Sequence, residues 1–147
     1  MNRRIAVRGI FVKDGKVLCV KLKPYKEKIT VDFWCTVGGT VDEGESFIAA
    51  LEREVLEETG VMPTIGGLLF VQQYLHKEVE NIEMFFNIIN VTDFENIDLA
   101  KTTHGLEEIA DIDFIDASKE TILPKFLSEI NFANFDPNSP TKFFSYL

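Results

Sequence analysis

Glu54, Glu57 and Glu58 stand at i, i+3 and i+4, a spacing that on a helix stacks three carboxylates along one side. Like charges so placed repel by roughly a few tenths of a kcal/mol per pair in water. On spacing alone the arrangement is either a solvated face or a site for a hard divalent cation, which takes oxygen ligands and keeps several waters. The surrounding sequence can position such a site. Ile48, Leu51 and Val55 recur at the interval that lines one helical face. Ser46 is placed to cap the helix and Gly60 to stop it in a left-handed C′ conformation. Just upstream, Gly38-Gly39 lets the backbone bend sharply and come close to an ion.

The rest of this stretch decides between the two readings. From Gly39 there are five residues to Glu45, then seven to Arg53-Glu54, then Val55-x-Glu57-Glu58-x-Gly60-Val61. This pattern, G-x5-E-x7-R-E-U-x-E-E-x-G-U with U aliphatic, resembles the signature of the Nudix hydrolase family and covers about a sixth of the chain. The resemblance implies an α/β fold, a Nudix-like α/β/α sandwich in which a mixed sheet carries a loop–helix–loop motif. It also implies hydrolysis of a diphosphate linkage by metal-activated water, with Mg2+ (or Mn2+) as cofactor. By that likeness the metal ligands are Glu54, Glu57 and Glu58 with the Gly38 carbonyl. Arg53 orients a glutamate, Glu45 plays a supporting role, and Glu54, Glu57, Arg53 and Glu45 form the catalytic set. The general base is either a glutamate of the motif or one of Glu107, Glu108 and His104. Val37 stands where the family commonly has proline.

Those residues need a scaffold, and 147 residues suffice for one domain, 1–147, with a full core. Residues 4–12 and 16–23 read as two strands around the Asp14-Gly15 turn. The first is apolar on both faces, as a covered central strand would be. Arg8 is its exception, a cation that calls for a carboxylate or phosphate partner. The segment 29–37 is β-rich, and 64–77 and 78–91 read as two further strands. A last strand follows from Glu107, then a helix over 117–130, bent or restarted at Pro124. The tail from Asn131 carries Phe132, Phe135, Phe143, Phe144 and Tyr146. Such aromatic density docks on its own domain or on a second copy, as a homodimer.

Composition bounds the partners. A net charge of −9 argues against long nucleic acid, whose affinity comes largely from Lys and Arg on phosphates. No apolar run is long enough to span a membrane, no targeting segment is read, and a cytoplasmic location is expected. Cys19 and Cys35 have neither disulfide nor zinc spacing. Small nucleotides are the expected substrates. Lys21 and Lys23 lie in the densest positive segment, with Lys26 and Lys28, and the family places the equivalent loop near the nucleotide. On the strand 78–91, Glu83, Phe85, Asn87 and Ile89 share a face that reads as a pocket wall, with Phe85 to stack on a base and Asn87 to read its edge. Arg8 completes the substrate-binding set. The family's markers for ADP-ribose and for dinucleoside polyphosphates do not fit His76-Lys77 and Tyr74. The short chain resembles members acting on nucleoside triphosphates. The alternative is a nucleoside diphosphate linked to another moiety such as ADP-ribose, and a third, lesser reading is a nucleotide-sensing module without catalysis.

Overall fold

The computed structural model describes residues 2–24 and 31–147; Lys26 and Lys28 lie outside the described residues. The strand read over 4–12 divides at Phe11. Asn2–Ile10 forms β1 and Val12–Lys13 forms β2, and the two belong to different sheets. Only β2 completes the expected hairpin, pairing with β3, Lys16–Leu22, across a turn in which Asp14 and Gly15 both have positive φ. That geometry is the mirror-image turn whose twist matches a β-hairpin.

β1 is central, as its two apolar faces require. It pairs parallel with β7, Val79–Ile88, and antiparallel with the short β5, Gly38–Thr40. β6, Ile65–His76, joins β7 by a two-residue turn at Lys77 and Glu78, both at positive φ. The tail supplies β10, Lys142–Ser145, parallel to β6 at the sheet edge. The sheet order is β10-β6-β7-β1-β5. In the second sheet β3 pairs antiparallel with β2, with β4, Trp34–Thr36, and with β8, Ile109–Ile115.

Two apolar clusters cover the first sheet. Val7, Phe86 and Ile88 pack with Ala50, Leu51 and Val55 of the helix α1, Phe47–Thr59. Ile10, Phe70 and Phe85 pack with Phe126, Leu127 and Phe132. The tail therefore docks on its own chain, with Phe144 stacked on Phe126 at 4.2 Å between ring centroids.

The helix read over 117–130 is not formed. Ile122–Leu123 instead makes β9, parallel to β4, and Lys125–Glu129 makes a 3-10 turn. Pro124 offers no N–H to a helix, and pairing with β4 satisfies the preceding backbone. A one-turn helix α2, Gly105–Glu108, precedes β8.

Candidate active site

Helix α1 carries the carboxylates, and its ends form as the sequence suggests. Ser46 Oγ accepts from the Ala49 N–H at 3.1 Å. Gly60, at φ 75, donates its N–H to Leu56 O at 2.9 Å. The buried face differs from the one expected: Ile48 is exposed, and Ala50, Leu51, Val55 and Glu58 point inward. Glu58 follows Leu51 by seven residues and Val55 by three, so helical geometry carries it under the sheet with them. It is only 6% exposed.

Beside it, Glu54 lies flat against Gly39. A Cβ there would sit 2.5 Å from the carboxylate carbon. At Gly38, φ is +147, and a Cβ would fall 2.1 Å from Val7 O. Only glycine lets β5 close on both β1 and the carboxylates.

Arg53 organises the exposed side of the cluster. Its Nε–H and Nη2–H donate to Glu45 Oε2 and Oε1 at 2.7 and 2.9 Å, a bidentate fork. Its Nη1 donates to Glu54 Oε1 at 3.0 Å and to Glu57 Oε2 at 3.4 Å, and Nη2 also reaches Thr40 O at 3.1 Å. The fork, with a bond from the Asp42 backbone, holds the Glu45 carboxyl down to about 2. It also raises the Arg53 guanidinium above its already high range.

The inner carboxylates behave oppositely. Burial pushes Glu58 up to about 8, neighbouring Glu54 adds to the rise, and Arg8 and the Gly38 backbone oppose it. Burial likewise raises Glu54, against Arg53. Glu58 Oε2 is buried and has no hydrogen-bond partner among the described residues, and such an orphan carries a desolvation cost. Among the described residues, no three His, Cys, Asp or Glu side chains converge to hold a metal unaided. Mg2+ does not require that, since it binds through one or two carboxylates and fills its octahedron with water and phosphate oxygens. An unpartnered carboxylate oxygen beside two more glutamates is a donor set that fits such a cation.

Two elements outside the helix meet this cluster. α2 packs against the C-terminal end of α1, so closely that a Cβ on Gly105 would lie 2.5 Å from Glu58 O. His104 donates its backbone N–H to Glu57 O at 3.0 Å, and its Nδ1 lies 3.3 Å from Glu57 Oε2. Glu108 is near enough to raise both Glu54 and Glu58. Glu107 is exposed on the same turn.

Arg8 leads from the carboxylates into a cavity of about 420 Å3 between the two sheets. Its Nη1 donates to Thr36 O at 3.2 Å and approaches Gly38 O at 3.5 Å, and its Nε lies 3.6 Å from Glu83 Oε2. The carboxylate partner expected for this cation is therefore Glu83, 4% exposed and itself a wall of the cavity.

Of the other substrate-binding expectations Phe85 is corrected, and Lys21, Lys23 and Asn87 have neighbours within the protein. Lys21 places its Nζ 4.9 Å from the centroid of the Trp34 ring, a cation–π contact. Lys23 donates its Nζ–H to the Leu106 carbonyl and so ties down α2. Phe85 is fully buried, edge-on to Phe70 and Phe126, and offers no face to a ligand. Asn87 lies two residues further along the strand, against Gly66 in a separate groove. The alternation of the strand was read correctly, but packing gives its aromatic to the core and its glutamate to the cavity. Glu83, expected on the pocket-wall face, does line the cavity, and Gln72, Tyr74 and Thr36 join it there unannounced by the sequence. Glu83 pairs with Ala6, two residues before Arg8, in the β1–β7 register, and that register is set by the tertiary structure.

The NUDIX domain model matches residues 2–96, and the chain belongs to that family. An ADP-ribose pyrophosphatase of Methanocaldococcus jannaschii is 41% identical over 73 residues, 48% of this chain and 40% of that protein. Nucleoside diphosphate-linked moiety X motif 6 of Xenopus laevis is 36% identical over 74 residues, 49% of this chain and 32% of that protein. The matched stretch thus spans less than half the length of either relative. The crystal structure of a MutT NUDIX hydrolase from Burkholderia pseudomallei shares the fold, with a TM-score of 0.67 over 87% of this chain and 96% of that one, at 18% identity. The expected α/β class holds. No helix among the described residues is long and apolar enough to cross a membrane.

Proposed function

We propose that this chain, acting as one domain, is a divalent-metal-dependent pyrophosphohydrolase that cleaves the diphosphate of a nucleoside diphosphate linked to another moiety. The observation that carries the reading is the buried, half-unpartnered Glu58 beside Glu54 and Glu57, all anchored to one helix facing Gly38-Gly39. Glu54, Glu57, Glu58 and the Gly38 carbonyl are the candidate ligands, of which one or two carboxylates at a time would hold Mg2+, or Mn2+, with water and phosphate oxygens completing the shell. The ion supplies charge neutralisation on the phosphoryl oxygens and a water of lowered pKa. Arg53 sets the geometry by holding Glu45 with one edge and reaching Glu54 and Glu57 with the other. Glu57 is the motif carboxylate assigned to accept a proton from an attacking water, because His104 and Arg53 both approach its Oε2 and fix the side chain. Arg8, at the junction of carboxylates and cavity, directs the diphosphate between them.

The names of the two relatives favour a linked nucleoside diphosphate over a nucleoside triphosphate, the substrate first expected from chain length. The experiment incubates the protein with Mg2+ and ADP-ribose, nucleotide sugars, dinucleoside polyphosphates and plain and oxidised triphosphates. Products are identified by mass, with chelator and Glu57→Gln as controls. Two phosphorylated fragments, lost in both controls, support the reading. Pyrophosphate plus monophosphate from a triphosphate would replace the substrate class. Absence of turnover in a folded, Mg2+-binding protein would refute hydrolysis of these substrates and favour a sensing module.

A further inference from the structure

β10 ends the first sheet, so one of its edges has β6 beside it and the other has no strand among the described residues. The Tyr146 N–H donates to Gln73 O at 2.9 Å. Successive residues of a strand turn their N–H and C=O groups to opposite edges. Lys142 and Phe144 therefore turn theirs to β6 with Tyr146, and Phe143 and Ser145 present theirs on the open edge. Side chains alternate between the faces in the same way. Phe144 folds inward onto Phe126, whereas Phe143, on the opposite face, is 75% exposed. Tyr146, two residues past Phe144 on its face, is 58% exposed.

Edge strands are ordinarily blunted by proline, a bulge or charge. β10 has no proline, its register with β6 is unbroken, and its one charge is Lys142. The edge is also complementary to itself. A twofold axis at Phe144 sets β10 antiparallel to its copy, and Phe143 and Ser145 of one chain then exchange both hydrogen bonds with Ser145 and Phe143 of the other. No other register satisfies both outward residues within the strand. Phe144 meets its own copy, and Lys142 lies opposite Tyr146 in the closer kind of cross-strand pair, where an ammonium reaches a ring. Phe143 meets Phe143 on the diagonal, a separation that aromatic side chains span.

Charge favours a second copy at this edge over any other part of the surface. The protein has a net charge of −9, yet Pro137 to Leu147 holds Lys142 and no acidic residue, so two copies meet there without opposed carboxylates. Phe143 and Tyr146 leave roughly 250–300 Å2 of ring surface open in each chain. With Leu147, the Lys142 stem and the strand edge, a twofold contact covers about 1,000 Å2 in all, the level that a specific interface must reach.

We propose that β10 is a homodimer interface, pairing antiparallel with its own copy about Phe144 and joining the first sheets of two chains into one. The tail then serves both sides: Phe132, Phe135 and Phe144 close the core of their own chain, and Phe143 and Tyr146 face the second copy. The inference is independent of the reaction proposed above.

The test is sedimentation equilibrium of the full chain from low to high micromolar concentration. A species of twice 16.7 kDa accumulates as concentration rises. Phe143→Lys, which sets two like charges across the axis, weakens association about tenfold or more, as loss of a central aromatic does. Ser145→Pro weakens it to a similar degree, because it removes an outward N–H and leaves the bonds to β6 in place. Both changes fall on exposed residues, so the melting temperature of the dilute protein stays level. The register is read by disulfide formation at the Lys142–Tyr146 pair, whose cross-strand spacing a disulfide can bridge. Chains carrying Lys142→Cys cross-link with chains carrying Tyr146→Cys, and neither cross-links with itself.

A protein that stays monomeric at the highest concentration overturns the proposal, and so does a dimer that neither Phe143→Lys nor Ser145→Pro weakens. Self-cross-linking of either cysteine variant, or none in the mixture, overturns the axis at Phe144. If one variant fails to fold, the other and the cross-link decide.

Discussion

Alanine at position 39 is the sharpest probe of the carboxylate cluster. Its Cβ would lie 2.5 Å from Glu54 Cδ and 2.6 and 2.7 Å from the two carboxylate oxygens. Carbon atoms in contact sit about 3.5–4.0 Å apart, so the Glu54 carboxylate must retreat by about 1 Å. Backbone strain does not enter, because Gly39 lies in the antiparallel ladder opposite Val7 without a positive φ. Alanine is in fact favoured over glycine within a strand by about 0.5–1 kcal/mol, and what moves is the end of a flexible side chain. The fold should therefore keep its stability, while Glu54 loses its 3.0 Å contact with Arg53 and its place beside Glu57 and Glu58. A misplacement of about 1 Å in a catalytic group can cost on the order of 100-fold in rate. Initial rates at saturating Mg2+ and substrate should show a kcat loss of that order, with the melting temperature unchanged or slightly raised. A variant whose kcat stays within about threefold of the parent would show that the position of Glu54 does not matter, and the site reasoning would fall with it. A large drop in melting temperature would refute the packing argument instead.

Two other perturbations test neighbouring claims. Burial holds the Glu58 carboxyl up at about 8 against an ordinary 4.5, so in the metal-free protein its contribution is most favourable below about pH 4.5 and is lost as pH rises toward 8. Glu58→Gln should match the parent in thermal stability near pH 4.5 and exceed it at pH 8, by up to roughly 4 kcal/mol; a parent no less stable than the variant at pH 8 contradicts the assignment. Phe85→Ala should destabilise by about 3–5 kcal/mol, as loss of a buried ring does, with KM little changed. Unchanged stability and a raised KM would return Phe85 to a substrate-stacking role.

The carboxylate helix was legible because its determinants are local. Spacing along a 3.6-residue repeat places Glu54, Glu57 and Glu58 together wherever the helix sits, and the Ser46 cap and Gly60 stop act within one turn. The β-strand alternation of residues 78–91 was legible for the same reason. Sequence periodicity does not say what covers a face. Glu83, Phe85 and Asn87 alternate identically, yet one lines a cavity, one fills the core and one meets a separate groove, because Tyr74, Phe126 and Gly66 come to them from elsewhere in the chain. Lys21 and Lys23 likewise meet Trp34 and the Leu106 carbonyl, partners that their spacing in the sequence does not name. Pro124 announced an interruption but not the strand pairing at Ile122. Residue types and their spacing determined the family of this protein, on which the proposed reaction rests. The cavity beside the carboxylates is assembled from long-range contacts, whose partners are set by how two sheets close on one another, and that only the tertiary structure decided.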